Sequence, residues 1–295
     1  MGDMMNTREV AAYLRIKERK VYDLVKTGKI PCTRVTGKWL FPKSVIDLWV
    51  IQNLSQRGDP AAVQAPPPII AGSHDPLLDW AVRESGSGLA LMFGGSLDGL
   101  RRFASGDAIA CGLHVFDPAS GEHNLPVLRT TLAGRAIAAL VWAWREQGLI
   151  VAKGNPKKIT ALQQLKSSQP RFVDRQAEAG SRLLFAHLLS QEQMTIGDLN
   201  IVAAPALNET DVGFAVAEDR ADVGFAVAAV ARQLDLDFVR LTRERYDLVI
   251  ARHDFFDEPW QKLLWFARSD RFRERAQQMG GYDIAENGRI VLNGT

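Results

Sequence analysis

The chain has 295 residues, 46% of them hydrophobic and 24% charged, with 36 Lys/Arg against 34 Asp/Glu and two cysteines. That length suits about two domains, and the composition excludes a disordered chain, a fibre, a disulfide-stapled scaffold and a membrane span of ~18–20 apolar residues. The net charge of +2 hides an asymmetry: residues 1–58 hold 11 Lys/Arg and 5 Asp/Glu, a balance of +6, and the rest hold 25 and 29, a balance of −4.

The first ten residues, MGDMMNTREV, lack the apolar core of a secretion signal. The expectation is a cytoplasmic, reduced protein with no membrane partner, in which Cys32 and Cys111 stay free. Thr7 is placed to cap a first helix carrying Val10, Ala11 and Leu14. A second helix with Val21, Leu24 and Val25 on one face stops at Gly28, and Pro31 blocks its continuation. Cys32–Val35 and Lys38–Phe41 flank Thr36-Gly37 as a hairpin. Pro42 opens a third helix with Val45, Ile46, Trp49 and Val50 on its apolar face. Residues 1–53 thus read as one module, and Leu54–Pro68, LSQRGDPAAVQAPPP, as a proline-rich linker.

From residue 69 short apolar strands alternate with helices, the pattern of an α/β fold with a mostly parallel sheet. The expected strands are Ile69–Ala71, Leu89–Phe93, Ile109–Gly112, Leu149–Ala152, Arg171–Asp174, Asn200–Ala203, Asp222–Phe225, Phe238–Leu241 and Asp247–Ala251. Helices are expected at Pro76–Ser85, Leu97–Ser105, Leu162–Gln164, Ser181–Ser190, Glu209–Asp219, Ala226–Leu234 and Glu258–Arg268. The heptapeptide DVGFAVA occurs at Asp211–Ala217 and again at Asp222–Ala228. The first copy follows a capping Thr210 and is expected to be helical; the second is expected to be a strand running into a helix, a hairpin of two equivalent strands being the alternative.

In the basic module Lys17, Arg19 and Lys20 fall at the turn and the start of the second helix, and Arg34 and Lys38 on the hairpin. Such a helix start suits a major groove and such a hairpin suits phosphates. In the body, three strand ends lead through Ser73, Ser96 and Ser181 into helices. Helix starts offer unpaired N–H groups and partial positive charge to an anion, and hydroxyls add donors. His74, His114, Arg175 and Arg182 lie in or near these loops. Two histidines without cysteines do not make a metal site, and Ser73-His74-Asp75 cannot form a triad because adjacent side chains diverge. No GxSxG elbow is present, so a binding cleft is expected rather than an enzyme, with a cleft enzyme using His74 and His114 as the alternative.

Residues 5–52, with EVAAYL, KERKVYDLVKTGKIP, RVTGKWLFP and Asp47-Leu48-Trp49, resemble the excisionase-type winged helix-turn-helix related to MerR DNA-binding domains. The resemblance implies double-stranded DNA as partner. Lys17, Arg19, Lys20 and Tyr22 would face it from the recognition helix and Arg34 and Lys38 from the wing, with Val21, Leu24, Trp39 and Trp49 in the core. Residues 69 to about 290, with SHDPLLDWAV, GGSLDGLRRF, REQGLIVAKGNP, RFVDRQAEAGSRLLF and ERYDLVI, resemble the periplasmic-binding-protein-like sensor domain often fused to such modules, similar to type II molybdate- and tungstate-binding proteins.

That second resemblance implies two lobes, 69–152 with 249–295 and 153–248, joined by crossovers near Val151–Pro156 and Tyr246–Ile250. It matches Ser73 and Ser96 to oxyanion-binding serines, gives Gly180-Ser181-Arg182 as the second lobe's helix start, and makes Tyr246 a ligand position. Arg175 and Arg182 depart from a neutral-donor site and leave a carboxylate or phosphorylated ligand open. The function implied is a one-component transcriptional regulator that senses molybdate or tungstate and needs no other cofactor. Helix-turn-helix proteins read paired half-sites, so a homodimer is expected.

Overall fold

The computed structural model describes residues 4–35, 37–54 and 65–294. Thr36 of the hairpin turn and residues 55–64 of the expected linker lie outside them. The chain divides into two compact units, Met1–Ala65 and Pro66–Thr295.

The first unit runs β1 (Met4–Asn6), α1 (Thr7–Tyr13), α2 (Glu18–Lys26), β2 (Thr33–Val35), β3 (Lys38–Pro42) and α3 (Lys43–Leu54). The helix cap is Asn6, not Thr7. Its side chain accepts from Arg8 N and Glu9 N at 2.9 and 3.0 Å while Glu9 returns a bond to Asn6 N, a reciprocal box that a residue inside the helix cannot make. Asn6 also ends β1, which pairs with β3 to give the antiparallel order β1-β3-β2. Three residues are too short to show an alternating pattern, so this strand has no sequence signal. Pro42 closes β3 rather than opening α3. The core is Met5, Val10, Ala11, Val21, Ile30, Phe41 and Ile46; Val45 is 40% exposed and does not join it.

The second unit contains β4 (Ile69–Gly72), α4 (Pro76–Glu84), β5 (Ala90–Phe93), α5 (Ser96–Ser105), β6 (Ala110–Leu113), α6 (Leu125–Thr131) and β7 (Ile137–Val151). It continues through α7 (Gln163–Ser167), β8 (Phe172–Val173), α8 (Gly180–Gln191), α9 (Glu209–Ala217), β9 (Val223–Val227), α10 (Ala228–Gln233) and β10 (Asp237–Ala251). It ends with α11 (Glu258–Phe266), α12 (Asp270–Met279), β11 (Tyr282–Asp283) and β12 (Ile290–Asn293). The sheet order is β5-β4-β6-β10-β7-β9-β8, with β11 and β12 also on β7.

Its axis is the antiparallel pair of 15-residue strands β7 and β10, in register from Asp237↔Val151 to Ala251↔Ile137. Asp247–Ile250 of β10 bond to β6, whereas Gln147–Val151 of β7 bond to β9. Each strand therefore leaves one lobe and enters the other. β4, β5 and β6 build lobe I, and β8 and β9 build lobe II.

Several sequence expectations change here. Leu149–Ala152 falls at the end of a long strand, and Phe238–Leu241 and Asp247–Ala251 belong to one strand, whose pairing with β7 shifts register twice, at Leu241 of β10 and at Trp142 of β7. Asn200–Ala203 forms a single bridge, Phe172↔Ile201, and no strand. The first crossover lies inside β7, so a lobe boundary at residue 152 splits Gln147–Val151 from their β9 partners. The DVGFAVA copies behave as expected: the first is in α9, capped by Asn208 rather than Thr210, and the second is β9 entering α10.

Candidate functional site: a basic helix and a serine-lined cleft

In the first unit Lys17 is the N-cap residue of α2, and Arg19, Lys20 and Tyr22 are exposed along it, Tyr22 by 51%, while Val21 between them is buried. The period of the helix thus separates the cationic side from the core side. Arg34 and Lys38 are exposed on the hairpin, and the Arg34 guanidinium sits 5.3 Å from the Trp39 ring centre. Trp39 and Trp49 are half-buried against the core, and Trp49 Nε1 donates to Lys29 O at 2.8 Å.

In the second unit β4 delivers Ser73 and β5 delivers Gly94-Gly95-Ser96. Both serines are buried, and their hydroxyl oxygens lie 2.8 Å apart. Ser73 N–H donates to Gly112 O at 2.9 Å and His114 N–H donates to Ser96 Oγ at 3.2 Å, so β6 fixes both. From lobe II, Gly180 at the start of α8 closes on the same place: a Cβ there would stand 2.6 Å from His114 O and 2.9 Å from Ser96 Oγ. Ser181 follows, fully buried, with its hydroxyl unpaired.

Three helix starts were expected to converge, and two are open. The α4 start is closed by Asp75, which accepts from Leu78 N at 2.7 Å. Neither α5, preceded by Gly95, nor α8, preceded by Ala179, has a side-chain cap. Each of these two helix starts carries a buried serine, Ser96 from lobe I and Ser181 from lobe II, and Gly180 packs on Ser96, so uncapped helix starts and hydroxyls come together from both lobes, an arrangement suited to an anion.

The remaining expected residues hold other positions. Tyr246 is fully buried and donates to Ser73 O at 2.6 Å; burial, with Asp75 adding to it, raises its hydroxyl well above the ordinary tyrosine range. Its one proton is committed, so it positions the Ser73 loop. Arg175 is buried with Nη1 3.2 Å from Glu209 Oε1, and Arg182 Nε donates to Asp174 Oδ2 at 2.8 Å. Both charges are compensated within lobe II. His74 packs edge-on against Phe93 at 4.8 Å, and burial lowers its pKa, which favours the neutral ring at pH 7.

His114 Nδ1 lies 2.7 Å from Glu244 Oε2, the entry to a network that the sequence reading missed. Glu244 also pairs with Arg145 and accepts from Gln147 Nε2 at 2.8 Å. Arg145 reaches Asp75 at 3.0 Å, and Asp75 further accepts from Trp142 and Tyr282. All four of Asp75, Arg145, Gln147 and Glu244 are buried. Burial alone would raise the Glu244 carboxyl, but the charges of His114 and Arg145 hold it well below the usual carboxylate range. The only sequence signal was charge inside apolar strands, as in VWAWREQGLIV and RERYDLVI, which marks either a solvent-facing edge or a buried polar network.

A PBP superfamily domain matches residues 79–268, and a helix-turn-helix domain matches residues 4–53. The uncharacterized protein YvgK of Bacillus subtilis (strain 168) is 24% identical over 96% of each chain. A putative phosphate ABC transporter substrate-binding protein with bound phosphate from Clostridium perfringens is 12% identical, with a TM-score of 0.54 over 72% of this chain and 96% of that one. The sulfate-binding protein SubI of Mycobacterium tuberculosis H37Rv gives 15% and 0.52 over 72% and 85%. The tungstate ABC transporter structure from Geobacter sulfurreducens gives 12% and 0.51 over 70% and 95%. At these identities the solved structures establish the fold. The chain belongs to the PBP superfamily and carries an N-terminal helix-turn-helix domain.

Proposed function

We propose that the protein is a cytoplasmic one-component transcriptional regulator, in which the helix-turn-helix unit binds double-stranded DNA and the PBP unit senses a small oxyanion. The observation that carries the ligand reading is the opposition of two uncapped helix starts, α5 and α8, around the paired hydroxyls of Ser73 and Ser96. The solved relatives in fold are described as binding phosphate or sulfate or as a tungstate transporter, which supports this ligand class.

Molybdate and tungstate head the set to be tried, with sulfate and phosphate beside them. The case for a carboxylate from Arg175 and Arg182 weakens, because Glu209 and Asp174 already neutralise them. The cleft acts as a sensor and not as an enzyme in this reading, with His114 held by Glu244 as part of the scaffold. A ligand that prefers closed lobes shifts the population towards closure, and a homodimer reads that change at two half-sites. No described helix is long and apolar enough to cross a membrane.

Thermal-shift measurements with molybdate, tungstate, sulfate and phosphate test the sensor. Stabilisation by at least one is expected, and stabilisation by none refutes the ligand class. On the DNA side, Arg19→Ala with Lys20→Ala should weaken binding and reduce the slope of log affinity against log salt by about 2, one phosphate contact for each lost cation. An unchanged slope removes those residues from the interface.

A further inference from the structure

The two register shifts between β7 and β10 fall at the two ends of the crossover. Leu241 is the extra residue of β10 where the pairing passes from Arg240↔Gly148 to Thr242↔Gln147, at the rung where β7 begins to pair with β9. Trp142 is the extra residue of β7 where the pairing passes from Tyr246↔Ala143 to Asp247↔Val141, at the rung where β10 begins to pair with β6. Between them lies a crossover block, residues 143–146 of β7 and 242–246 of β10, which bonds to neither β6 nor β9. An extra residue interrupts the ladder and bends the strand, so either end could serve as a hinge.

The two ends are built differently. At the lobe I end Trp142 is fully buried, packs edge-on against Phe272 at 5.2 Å and donates from Nε1 to Asp75 at 3.1 Å. Opposite it Tyr246 donates to Ser73 O, and Asp247 accepts from Asn124 Nδ2 at 2.8 Å. The block itself is tied to lobe I by Arg145 on Asp75, by Glu244 on His114, by Arg245 Nη2 on His123 O at 3.0 Å and by the pairing of β11 with Trp144 and Arg145. Lobe I cannot turn against the block without leaving buried charged groups unpaired, which is costly.

At the lobe II end Leu241 is half-buried, and beside it on β7 stands Gly148, where a Cβ would lie 2.2 Å from Val239 O. A glycine inside a strand next to a bulge permits a tight bend. Among the described residues two side-chain links span this end, Gln147 Nε2 to Glu244 at 2.8 Å and the solvent-exposed pair Arg240–Glu146 at 3.2 Å, and both join neighbours on the two strands. Behind the strands the turn between α12 and β11 meets α10 of lobe II through Gly281, where a Cβ would lie 2.6 Å from Ala228 Cβ. Such a contact between small groups can slide.

Resting on the sensor reading above, we infer that lobe I and the crossover block move as one body, and that lobe II alone turns about the rung formed by the Leu241 bulge and Gly148. The Ser73–Ser96 pair then stays assembled when the cleft opens, because Tyr246 and the block move with it. What leaves is α8, and with it three contacts break together: Gly180 on Ser96, Glu178 on Arg101, and His187 on Phe116 at 4.9 Å between ring centres.

Double electron–electron resonance on the full-length protein tests this, with Cys32→Ser to leave the introduced cysteines as the accessible thiols. Nitroxides at Lys262→Cys and Arg243→Cys join lobe I to the block, and nitroxides at Gln191→Cys and Arg243→Cys join lobe II to the block; all three positions are exposed. Leu241→Gly, which loosens the bulge, should widen the distance distribution of the lobe II pair at least about twofold and leave that of the lobe I pair as in the parent. Widening of the lobe I pair, or of neither, overturns the inference; if the glycine variant does not fold, Leu241→Ala is read in the same way. Sulfate, phosphate, molybdate and tungstate are then added in turn to both labelled parents. An anion that stabilises the protein should shift the lobe II distance and leave the lobe I distance unchanged, whereas a shift of the lobe I distance, or of neither, overturns the inference. Stabilisation by none of the four refutes the oxyanion reading and leaves the hinge to be decided by the Leu241 variants.

Discussion

At position 180 there is room for a hydrogen and for nothing larger. The added Cβ of an alanine would meet His114 O at 2.6 Å and Ser96 Oγ at 2.9 Å, and the first of these is backbone that side-chain rotation cannot move aside. The contact joins α8 of lobe II to β6 and α5 of lobe I, so a small opening of the lobes relieves it without unfolding either core. Gly180→Ala should therefore lose roughly tenfold or more in ligand affinity, while the ligand-free protein melts within about 3 °C of the parent, a change of less than about 1 kcal/mol for a chain of this size. Titration calorimetry and thermal melts on the same preparation separate the two effects. The serines beside Gly180 were legible because a hydroxyl entering a helix from a strand end has few uses besides capping and ligand binding. Arg145 and Glu244 were not, because an Arg in an apolar strand reads the same whether it faces water or a buried carboxylate. The resemblance made Tyr246 a ligand position, but its buried hydroxyl, bonded to the Ser73 carbonyl, holds the loop and has no proton left for a ligand.

Among the elements, α5 and the loop before α8 meet across the lobes through a second contact. Arg101 on α5 makes two bonds to Glu178, Nη1 to Oε1 at 3.1 Å and Nη2 to Oε2 at 2.8 Å, with both side chains more than half exposed. The bidentate geometry favours the pair, but exposure and salt screening limit it. Glu178→Ala should weaken ligand binding a few-fold at about 50 mM salt and hardly at all at about 500 mM, measured by titration at both salts. The winged module and the alternation of strands and helices were readable because period and punctuation carry them. The long strands β7 and β10 were read as fragments, since bulges and internal charges interrupt their pattern while cross-strand pairing does not. The two DVGFAVA copies show the same limit from the other side. Gly213 admits Val230 and Leu234 against a helix, and Gly224 admits Val212 and Val173 against a strand. One heptapeptide serves both states because its neighbours, and not its own propensity, decide which state buries it.

Over the PBP unit as a whole, burial of histidine ties stability to pH. His123 lies between Phe116 and Trp144, at 5.2 and 5.4 Å between ring centres, and its Nε2 has no partner. Burial, outweighing the attraction of Glu244, lowers its pKa from 6.5 to about 4, and burial lowers His74 as well. The unfolded chain takes up protons near pH 6.5 that the folded protein refuses until much lower pH. This contribution to stability is complete above about pH 6.5 and is lost as pH falls towards 4. For His123 the gap corresponds to roughly 3 kcal/mol. Glu244 adds to the loss only further down, because a depressed carboxyl keeps its contribution above the ordinary glutamate range and gives it up below. Asp247, raised by burial despite Arg245, has the opposite sign and offsets part of the fall. Replacing His123 with Phe removes the titrating ring and keeps an aromatic ring between Phe116 and Trp144. Urea unfolding at pH 7, 5.5 and 4.5 should show the parent losing stability steadily through this range. His123→Phe should match or exceed the parent at pH 7 and lose roughly 2–3 kcal/mol less by pH 4.5.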